Sequence, residues 1–271
     1  MLHSPRTIQP TQVMWDEVPI VAYQLTSQNE KRRLHRIILF HGLAGSAAQW
    51  FDTLSILATA GYTSIAFDLP GYGQSGLPEA NALTPDRMGK ALAVWLQTQP
   101  TLPTILVGHS LGGWVVLRAY LHNPQAIAGL VLVASSGLQG IPWQPRQLKF
   151  STGFAQWTQQ ILDSMFYNPK RVKPQILQTL LGEAIASPAL TTLRPEGLLA
   201  LEKLHQIHCP VQVIWGEQDR IIPVEWARVF AHYLPRSTLT LLPECGHFPH
   251  LEVPTLFHQY LTQFLLNFML V

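Results

Sequence analysis

The pattern Gly-His-Ser-Leu-Gly at residues 108–112 constrains the fold of this chain more than any other feature. It follows an apolar, β-branched run at residues 104–107 and precedes a helix-like stretch at residues 113–120. A sharp turn from strand to helix strains the backbone of the central residue, and glycines two positions before and after it remove side chains that would collide. The pattern therefore predicts a strand, a tight turn that exposes the hydroxyl of Ser110, and a helix.

The partners that such a serine needs also occur in the chain. A serine hydroxyl is a weak nucleophile until a base removes its proton, and the base is usually a histidine held by a carboxylate. With this turn, the order along the chain is serine, then aspartate or glutamate, then histidine. Asp219 follows a buried apolar run at residues 211–216, and His247 follows a strand-like run at residues 237–242. Carboxyl ends of parallel strands share the sheet edge at which ligands bind, so we predict that Ser110, Asp219 and His247 meet there.

Four further segments of the sequence strengthen the prediction made from this pattern. They lie at residues 40–42 (Phe-His-Gly), 67–75 (Phe-Asp-Leu-Pro-Gly-Tyr-Gly-Gln-Ser), 215–219 (Trp-Gly-Glu-Gln-Asp) and 246–250 (Gly-His-Phe-Pro-His). With these segments the chain resembles the α/β-hydrolase superfamily over nearly its whole length. The resemblance implies an α/β-hydrolase fold and a Ser-His-Asp triad, and it says much less about the substrate.

The resemblance also implies the position of an oxyanion hole. A strand-like run at residues 36–40 leads into a glycine-rich loop at residues 41–46. In the family pattern, the backbone N–H groups of Leu43 and Leu111 bind the negative charge that develops on the substrate oxygen in the transition state. His41 is expected to shape this loop rather than to transfer a proton.

Other acidic and basic residues near the predicted triad remain alternatives. Glu217 lies two residues before the predicted acid, although the family pattern favours the aspartate, and His250 lies three residues after the predicted base. Asp68 also ends a strand-like run, at a position where family members commonly use the carboxylate for loop hydrogen bonds. Glu252 is expected to anchor the loop before the last helix.

Short apolar runs alternate with helix-like stretches along most of the chain. The stretch at residues 48–59 is followed by Gly61, which suits a C-cap, and the stretch at residues 84–97 begins with Thr84 as N-cap. This alternation predicts an α/β fold with a mostly parallel, doubly wound sheet. Residues 20–25 suggest an additional antiparallel edge strand. Parallel strands are predicted near residues 37, 65, 106, 130, 213 and 239.

The alternation breaks between residues 136 and 205, an interval rich in proline, glutamine and aromatic residues. In the superfamily that the chain resembles, an insertion at this place is a helical cap over the active site. We therefore expect an α/β-hydrolase core of residues 1–135 and 206–271 and a cap of residues 136–205. A second, independent domain is the alternative, although so short an interval barely supports one. Helix-like pieces lie at residues 150–165, 174–181 and 195–204.

Apolar and aromatic side chains of the cap and the core are candidates for a substrate pocket. They predict an apolar acyl or alkyl group of small to medium size, although aromatic residues at helical spacing more often serve packing than recognition. Arg146, Arg171 and Arg194 could bind a substrate carboxylate or could lie on a solvated face. The candidate pocket residues are His41, Trp50, His109, Trp114, Leu138, Trp143, Phe154, Trp157 and Phe248.

Composition and motifs argue against several classes of partner and cofactor. A formal net charge of +2 without a basic run argues against nucleic acid as a partner. Neither a glycine-rich phosphate loop nor a metal-ligand spacing occurs, so we expect no cofactor and no metal. Cys209 and Cys245 give no disulfide framework; one bridge remains open, but reduced thiols are the simpler interpretation.

Neither end of the chain predicts a membrane anchor. Residues 1–6 lack the apolar run of a signal peptide, and the apolar stretch at residues 261–271 is too short to span a bilayer. We expect that stretch to form a final helix packed on the sheet, with a membrane-touching or dimer-forming tail as the alternative. The sequence thus predicts a cytoplasmic protein and leaves the oligomeric state open.

The predicted function is that of a serine hydrolase acting on a carboxylic ester or a related acyl bond. The same triad could instead serve C–C, lactone or amide hydrolysis, acyl transfer or perhydrolysis, or the chain could be a ligand-binding receptor or pseudoenzyme. Haloalkane dehalogenases and epoxide hydrolases resemble this chain in fold but carry aspartate at the position of Ser110, so the serine argues against both classes. Meta-cleavage C–C hydrolases usually have asparagine before the nucleophile and tryptophan after the base, where this chain has His109 and Phe248. These two residues argue against that class, which stays open as an alternative.

Overall fold

The computed structural model describes residues 8–27, 35–79, 83–140, 154–186 and 197–268. The strands are β1 (Gln9–Trp15), β2 (Val18–Leu25), β3 (Arg36–Phe40), β4 (Thr63–Phe67), β5 (Thr104–His109), β6 (Gly129–Val133), β7 (Val211–Gly216) and β8 (Ser237–Leu242). They form a sheet in the order β1-β2-β4-β3-β5-β6-β7-β8. Strands β3 to β8 run parallel, and β2 pairs antiparallel with both β1 and β4, so the predicted mostly parallel sheet is confirmed.

The helices of the described residues are α1 (Phe51–Thr59), α2 (Pro85–Gln97), α3 (Leu111–His122), α4 (Phe154–Met165), α5 (Pro174–Ala186), α6 (Glu225–Tyr233), α7 (Pro249–Glu252) and α8 (Pro254–Asn267). A 3₁₀ helix, Ala47–Trp50, leads into α1. Gly61 lies beyond the C-terminal end of α1 and has a φ of 97°. Thr84 caps α2 by accepting a hydrogen bond of 3.2 Å from the N–H of Arg87. The helices predicted before β4 and β5 are therefore confirmed.

Apolar side chains cover both faces of the sheet. In β3, Ile38 and Phe40 pack in one cluster with α2 and α3, whereas Ile37 and Leu39 pack in a second cluster with α1 and α8. Every residue of β3 is buried, which is why this strand reads as a continuous apolar run rather than an alternating one. Helices on both faces make the sheet doubly wound, as predicted.

The N-terminal strands differ from the prediction. Residues 20–25 do form an antiparallel strand, but it is not at the edge, because β1 pairs along β2 from Gln9–Gln24 to Trp15–Val18. Most of β1 is exposed, and only its last residue is buried. A polar, exposed strand has no apolar run, so the sequence pattern does not reveal it.

The connection from β6 to β7, which we call the β6–β7 insertion, contains α4 and α5. Its residues Leu162, Phe166 and Leu180 pack against Phe248 and Leu251, which follow β8. The described part of the insertion therefore shares its apolar packing with the segment that carries His247.

The helices predicted in the β6–β7 insertion are confirmed in part. α4 and α5 lie where the first two helical pieces are predicted. The third piece, at residues 195–204, is wrong over its described part, because Leu199 forms a β-bridge with Leu138 and a 3₁₀ helix spans Leu201–Gln206. The bridge keeps the backbone extended at Leu199 and so excludes a longer helix.

The final helix, α8, packs on the sheet as predicted, with Phe257, Leu261 and Leu265 in one of the two core clusters. Across the described ranges, no helix combines the length and the apolarity that crossing a bilayer demands. Cys209 and Cys245 are buried free thiols, in agreement with the simpler interpretation of the sequence.

Candidate active site

Ser110 lies in the sharp turn between β5 and α3, with a φ of 51° and a ψ of −113°. A Cβ on Gly108 would lie 2.4 Å from the backbone O of Gly112, and one on Gly112 would lie 2.5 Å from that of Phe40. Contacts this short leave no room for a side chain at either position, so the turn needs both glycines. The N–H of Ser110 donates to the backbone O of Val133 at 2.9 Å, which fixes the turn against β6.

Asp219 and His247 lie on the loops that follow β7 and β8, and a hydrogen bond joins them. His247 Nδ1 lies 2.7 Å from Asp219 Oδ2, and both side chains are buried. The other carboxylate oxygen accepts the N–H groups of Ile221 at 2.8 Å and Ile222 at 2.9 Å. Because the carboxylate only accepts, Nδ1 carries the proton, and Nε2 of a neutral His247 is left as an acceptor.

Ser110 lies beside this pair. His109, the residue before it, has its ring centroid 4.8 Å from that of His247. Within the described ranges, no hydrogen bond joins the Ser110 hydroxyl to His247. Hydrogen bonds between catalytic groups are often long in unliganded enzymes and shorten when a substrate binds.

The loop after β3 approaches the serine turn from the other side. A Cβ on Gly42 would lie 3.0 Å from Cβ of Ser110. Leu43 follows in a turn that is closed by a hydrogen bond of 3.3 Å from the N–H of Gly45 to Gly42 O. Leu111 begins α3, where the N–H groups have no partner within the helix. Neither Leu43 nor Leu111 donates its N–H to another described residue.

His41 supports this loop through both ring nitrogens. Its Nε2 accepts the N–H of Leu69 at 2.9 Å, so the proton sits on Nδ1 and is donated to Gly42 O at 2.7 Å. The ring is fully buried, and burial lowers the pKa of His41. Both nitrogens are therefore engaged in holding the loop, and neither is free to carry a proton to a substrate.

The alternative acids lie in other surroundings. The carboxylate of Asp68 accepts the N–H of Ala47 at 2.7 Å and that of Gln74 at 2.9 Å, so it ties two loops together. Glu217 is exposed. Among these three carboxylates, the one that is hydrogen-bonded to a histidine is Asp219.

The alternative base, His250, is buried against an indole. Its ring stacks on Trp50 with the centroids 4.1 Å apart, and neither of its nitrogens has a hydrogen-bond partner among the described residues. Burial, with smaller contributions from His258 and His247, holds the pKa of His250 well below its ordinary value. His250 therefore lacks the orienting carboxylate that His247 has.

Three of the candidate pocket residues have no exposed surface. His41, Trp50 and His109 are fully buried, at 0 % exposure. In this conformation they present no surface to a substrate. His41 and His109 contact the loops that carry Leu43 and His247, and Trp50 stacks on His250.

Of the other candidates, Trp114 and Phe248 contact the β6–β7 insertion, and the rest belong to it by sequence position. Trp114 donates its indole N–H to the backbone O of Gly197 at 3.1 Å, and Leu138 bridges to Leu199. Phe248 packs with Phe166. Trp143 and the side chains of Phe154 and Trp157 lie outside the described residues.

Backbone and carboxylate contacts join the β6–β7 insertion to the loop of His247. The N–H of His247 donates to the backbone O of Met165 at 2.8 Å. Glu252 accepts the N–H of Gly246 at 2.7 Å and that of Asn168 at 2.5 Å, so it anchors the insertion as well as the loop expected from the sequence. Backbone partners carry no residue-type signal, so sequence reasoning missed the contacts of this loop with Met165 and Asn168.

Two charged side chains of the insertion also bind the core. Arg171, a candidate ligand for a substrate carboxylate, instead binds Glu244 through a carboxylate oxygen at 2.5 Å and the backbone O at 2.9 Å. Glu183, which sequence reasoning missed, accepts a hydrogen bond from the hydroxyl of Ser46. Burial raises the pKa of Glu183 to about 7. Arg146 and Arg194 lie outside the described residues.

Comparison with known proteins agrees with this fold. Residues 37–259 match the Alpha/beta hydrolase family, and the chain belongs to that family. It is similar to a 2-hydroxy-6-oxononadienedioate/2-hydroxy-6-oxononatrienedioate hydrolase of Paraburkholderia phymatum, with 26 % identity, over 84 % of this chain and 86 % of the relative.

Solved structures show the same fold. A meta-cleavage product hydrolase from Pseudomonas fluorescens IP01 superposes with a TM-score of 0.80 at 18 % identity, over 96 % of this chain and 98 % of that one. A thermophilic esterase superposes with a TM-score of 0.75 at 24 % identity, again over 96 % and 98 % of the two chains. The predicted α/β-hydrolase fold is therefore confirmed.

Proposed function

We propose that this hydrolase cleaves a carboxylic ester or a related acyl bond of a small-to-medium apolar substrate through a Ser-His-Asp triad. The observation that carries the proposal is the buried hydrogen bond of 2.7 Å between Asp219 and His247 beside the strained turn of Ser110. A carboxylate, an imidazole and a serine at one sheet edge are the groups that activate a hydroxyl at neutral pH.

The proposed reaction starts from a neutral His247 that carries its proton on Nδ1 and has a free acceptor at Nε2. Ser110 Oγ attacks the carbonyl carbon while Nε2 of His247 accepts its proton, and Asp219 stabilises the imidazolium that results. The N–H groups of Leu43 and Leu111 donate to the oxyanion. His247 then gives the proton to the leaving alcohol, and a water activated in the same way hydrolyses the acyl-enzyme.

The β6–β7 insertion serves as the cap in this proposal, in keeping with the division into a core of residues 1–135 and 206–271 and a cap of residues 136–205. Its packing with Phe248, the residue after the base, supports this division. Trp114 and Phe248, which are 5 % and 4 % exposed, are the described side chains that we assign to an apolar acyl or alkyl pocket, whereas Leu138 is buried at 1 % exposure.

Cleavage of a C–C bond by the same triad is the second candidate. The relative from Paraburkholderia phymatum and the structure from Pseudomonas fluorescens IP01 favour it, because their names describe hydrolases of dienedioates and of meta-cleavage products. His109 and Phe248 favour ester cleavage, because the C–C hydrolases that this chain resembles usually have asparagine and tryptophan at these places.

The test combines a covalent probe with a substrate panel. A fluorophosphonate should label the folded protein at Ser110, and Ser110→Ala should abolish labelling and lower kcat by roughly 10⁴-fold or more. Turnover should be measured on p-nitrophenyl esters of increasing acyl length, on lactones and on a dienone acid. Hydrolysis of the dienone acid in preference to every ester would favour the second candidate. An unlabelled Ser110 in folded protein would indicate a ligand-binding protein without catalysis.

A further inference from the structure

His109 contacts three loops of the candidate site at once. It directly precedes Ser110, and its Nε2 lies 2.9 Å from the backbone O of His247. On its other side, a Cβ on Gly42 would lie 2.8 Å from its Nδ1, so the ring also abuts the loop that carries Leu43. One buried ring thus separates and spaces the serine turn, the loop of the base and the proposed oxyanion loop.

The hydrogen bond to His247 defines the tautomer of His109. A carbonyl oxygen only accepts, so Nε2 carries the proton, and Nδ1 is a bare nitrogen without a partner among the described residues. Burial, together with the neighbouring His247 and His250, holds the pKa of His109 well below its ordinary value. The ring therefore stays neutral and donates the same hydrogen bond across the neutral pH range.

The peptide groups of His247 are held on both sides. Its N–H donates to Met165 O at 2.8 Å in the β6–β7 insertion, and its C=O accepts from His109 at 2.9 Å in the core. The ring of His109 also packs against Phe248, with the centroids 4.6 Å apart. These contacts fix the backbone of His247, whereas Asp219 fixes the direction of its ring.

We infer that His109 is a positioning residue, whose Nε2–H hydrogen bond to the backbone O of His247 sets the position of the base relative to Ser110. The inference rests on the proposed function, and it adds a role for a buried residue that acts through the backbone of His247. A displacement of about 1 Å between catalytic groups can cost about 10²-fold in rate, so the loss of this bond should be visible in kcat.

Three substitutions separate the hydrogen bond from simple packing. The amide N of His109→Gln can occupy the place of Nε2, His109→Asn is too short to reach the carbonyl, and His109→Phe fills the ring space without a donor. The readouts are kcat and KM on the best p-nitrophenyl ester and the second-order rate of fluorophosphonate labelling. Circular dichroism and the thermal midpoint check folding. His208→Gln, on the exposed residue in the loop before β7, is the matched control.

We expect His109→Gln to keep kcat and the labelling rate within about fivefold of wild type, whereas His109→Asn and His109→Phe lose about 10²-fold with KM nearly unchanged. Equal activity of the Gln and Asn variants, both folded, would overturn the inference, because only one of them can reach the carbonyl. A wild-type kcat in a folded Phe variant would overturn it too. Should Ser110→Ala stay active, the proposed function fails first, and this result is separate from the outcome of the His109 series.

Discussion

The core side and the insertion side of the candidate site are held by different kinds of bond. On the core side, backbone hydrogen bonds fix the loops: Ser110 N–H donates to Val133 O at 2.9 Å, and Glu217 N–H donates to Leu242 O at 3.0 Å. On the insertion side, side chains of α5 and of the residue before it meet the core. One such contact is an ion pair of 2.7 Å between Lys173, which precedes α5, and Asp52, whose side chains are 65 % and 56 % exposed.

This difference predicts which groups of the candidate site are held most firmly in position. Backbone bonds allow little movement, whereas an exposed ion pair contributes only about 0–1 kcal/mol and breaks easily. The groups assigned to bond cleavage therefore lie where backbone bonds hold the loops, whereas the part of the proposed cap at the start of α5 is held to the core by a contact that breaks more easily. Between them, Met165 and Asn168 at the end of α4 are bound to the loop of His247 and belong with the core side.

The largest effect is expected on the core side, from Asp219→Asn. The backbone N–H groups of Ile221 and Ile222 retain the amide oxygen, so the NH₂ group turns toward His247. His247 must then carry its proton on Nε2 and can no longer accept one, which should lower kcat by roughly 10³- to 10⁴-fold. Steady-state kinetics on the best ester measure this loss. Glu217→Gln, two residues away and exposed, is the control and should stay within about twofold. A large loss in the control instead would make Glu217 the acid.

A pair of glycine substitutions compares the two sides directly. In Gly42→Ala the new Cβ would meet His109 Nδ1 at 2.8 Å and Ser110 Cβ at 3.0 Å, so the serine turn and the oxyanion loop must move apart. We expect kcat to fall by about 10²-fold. Gly182→Ala in α5 has open space around the Cβ and should raise helix stability by about 0.5–1 kcal/mol without changing kcat. Kinetics and chemical denaturation of both variants test this contrast, which similar kcat values would contradict.

Glu252→Gln tests the border between the two sides. Both carboxylate oxygens accept a backbone N–H, so an amide must turn an NH₂ group toward either Gly246 or Asn168. We expect the free energy of unfolding to fall by about 1–3 kcal/mol, because a buried donor loses its partner. The loop of His247 should loosen, and kcat should fall by about tenfold. Urea denaturation and kinetics measure the two effects, with the exposed Glu225→Gln as control. An unchanged kcat in a destabilised variant would show that Glu252 does not act on the base.

The smallest effect is expected on the insertion side, from Glu183→Gln, which keeps an oxygen for Ser46. Burial raises the pKa of Glu183 from 4.5 to about 7, so the folded state binds the proton more tightly than the unfolded state. Its contribution to stability therefore falls as the pH rises through this interval. The thermal midpoint of Glu183→Gln minus that of wild type should increase between about pH 5 and about pH 8. A difference that is independent of pH would show that Glu183 is not buried in this way in solution.

Prediction from the sequence succeeded where one segment of chain contains the whole signal. The parallel strands β3 to β8 are apolar runs, and α2 begins at a threonine cap, so local patterns were sufficient for both. The sequence prediction missed β1 because an exposed, polar strand resembles a loop in its residue pattern. The helix predicted at residues 195–204 was wrong because Leu199 pairs with Leu138, which lies too far away in the sequence for a local pattern to include it.

The sequence by itself indicated the turn of Ser110, and Gly108 is required by a contact with Gly112 in the same turn. Gly112 is required by a contact with the backbone of Phe40 in β3, which only the tertiary structure shows. The sequence also indicated which carboxylate and which histidine follow strand ends at the same sheet edge. Only the tertiary structure decided that His109 donates to the backbone of His247, 138 positions away, and that Glu252 binds Asn168, 84 positions away. The physical reason is that backbone N–H and C=O groups are the same at every residue, so bonds to them leave no trace in the order of the side chains.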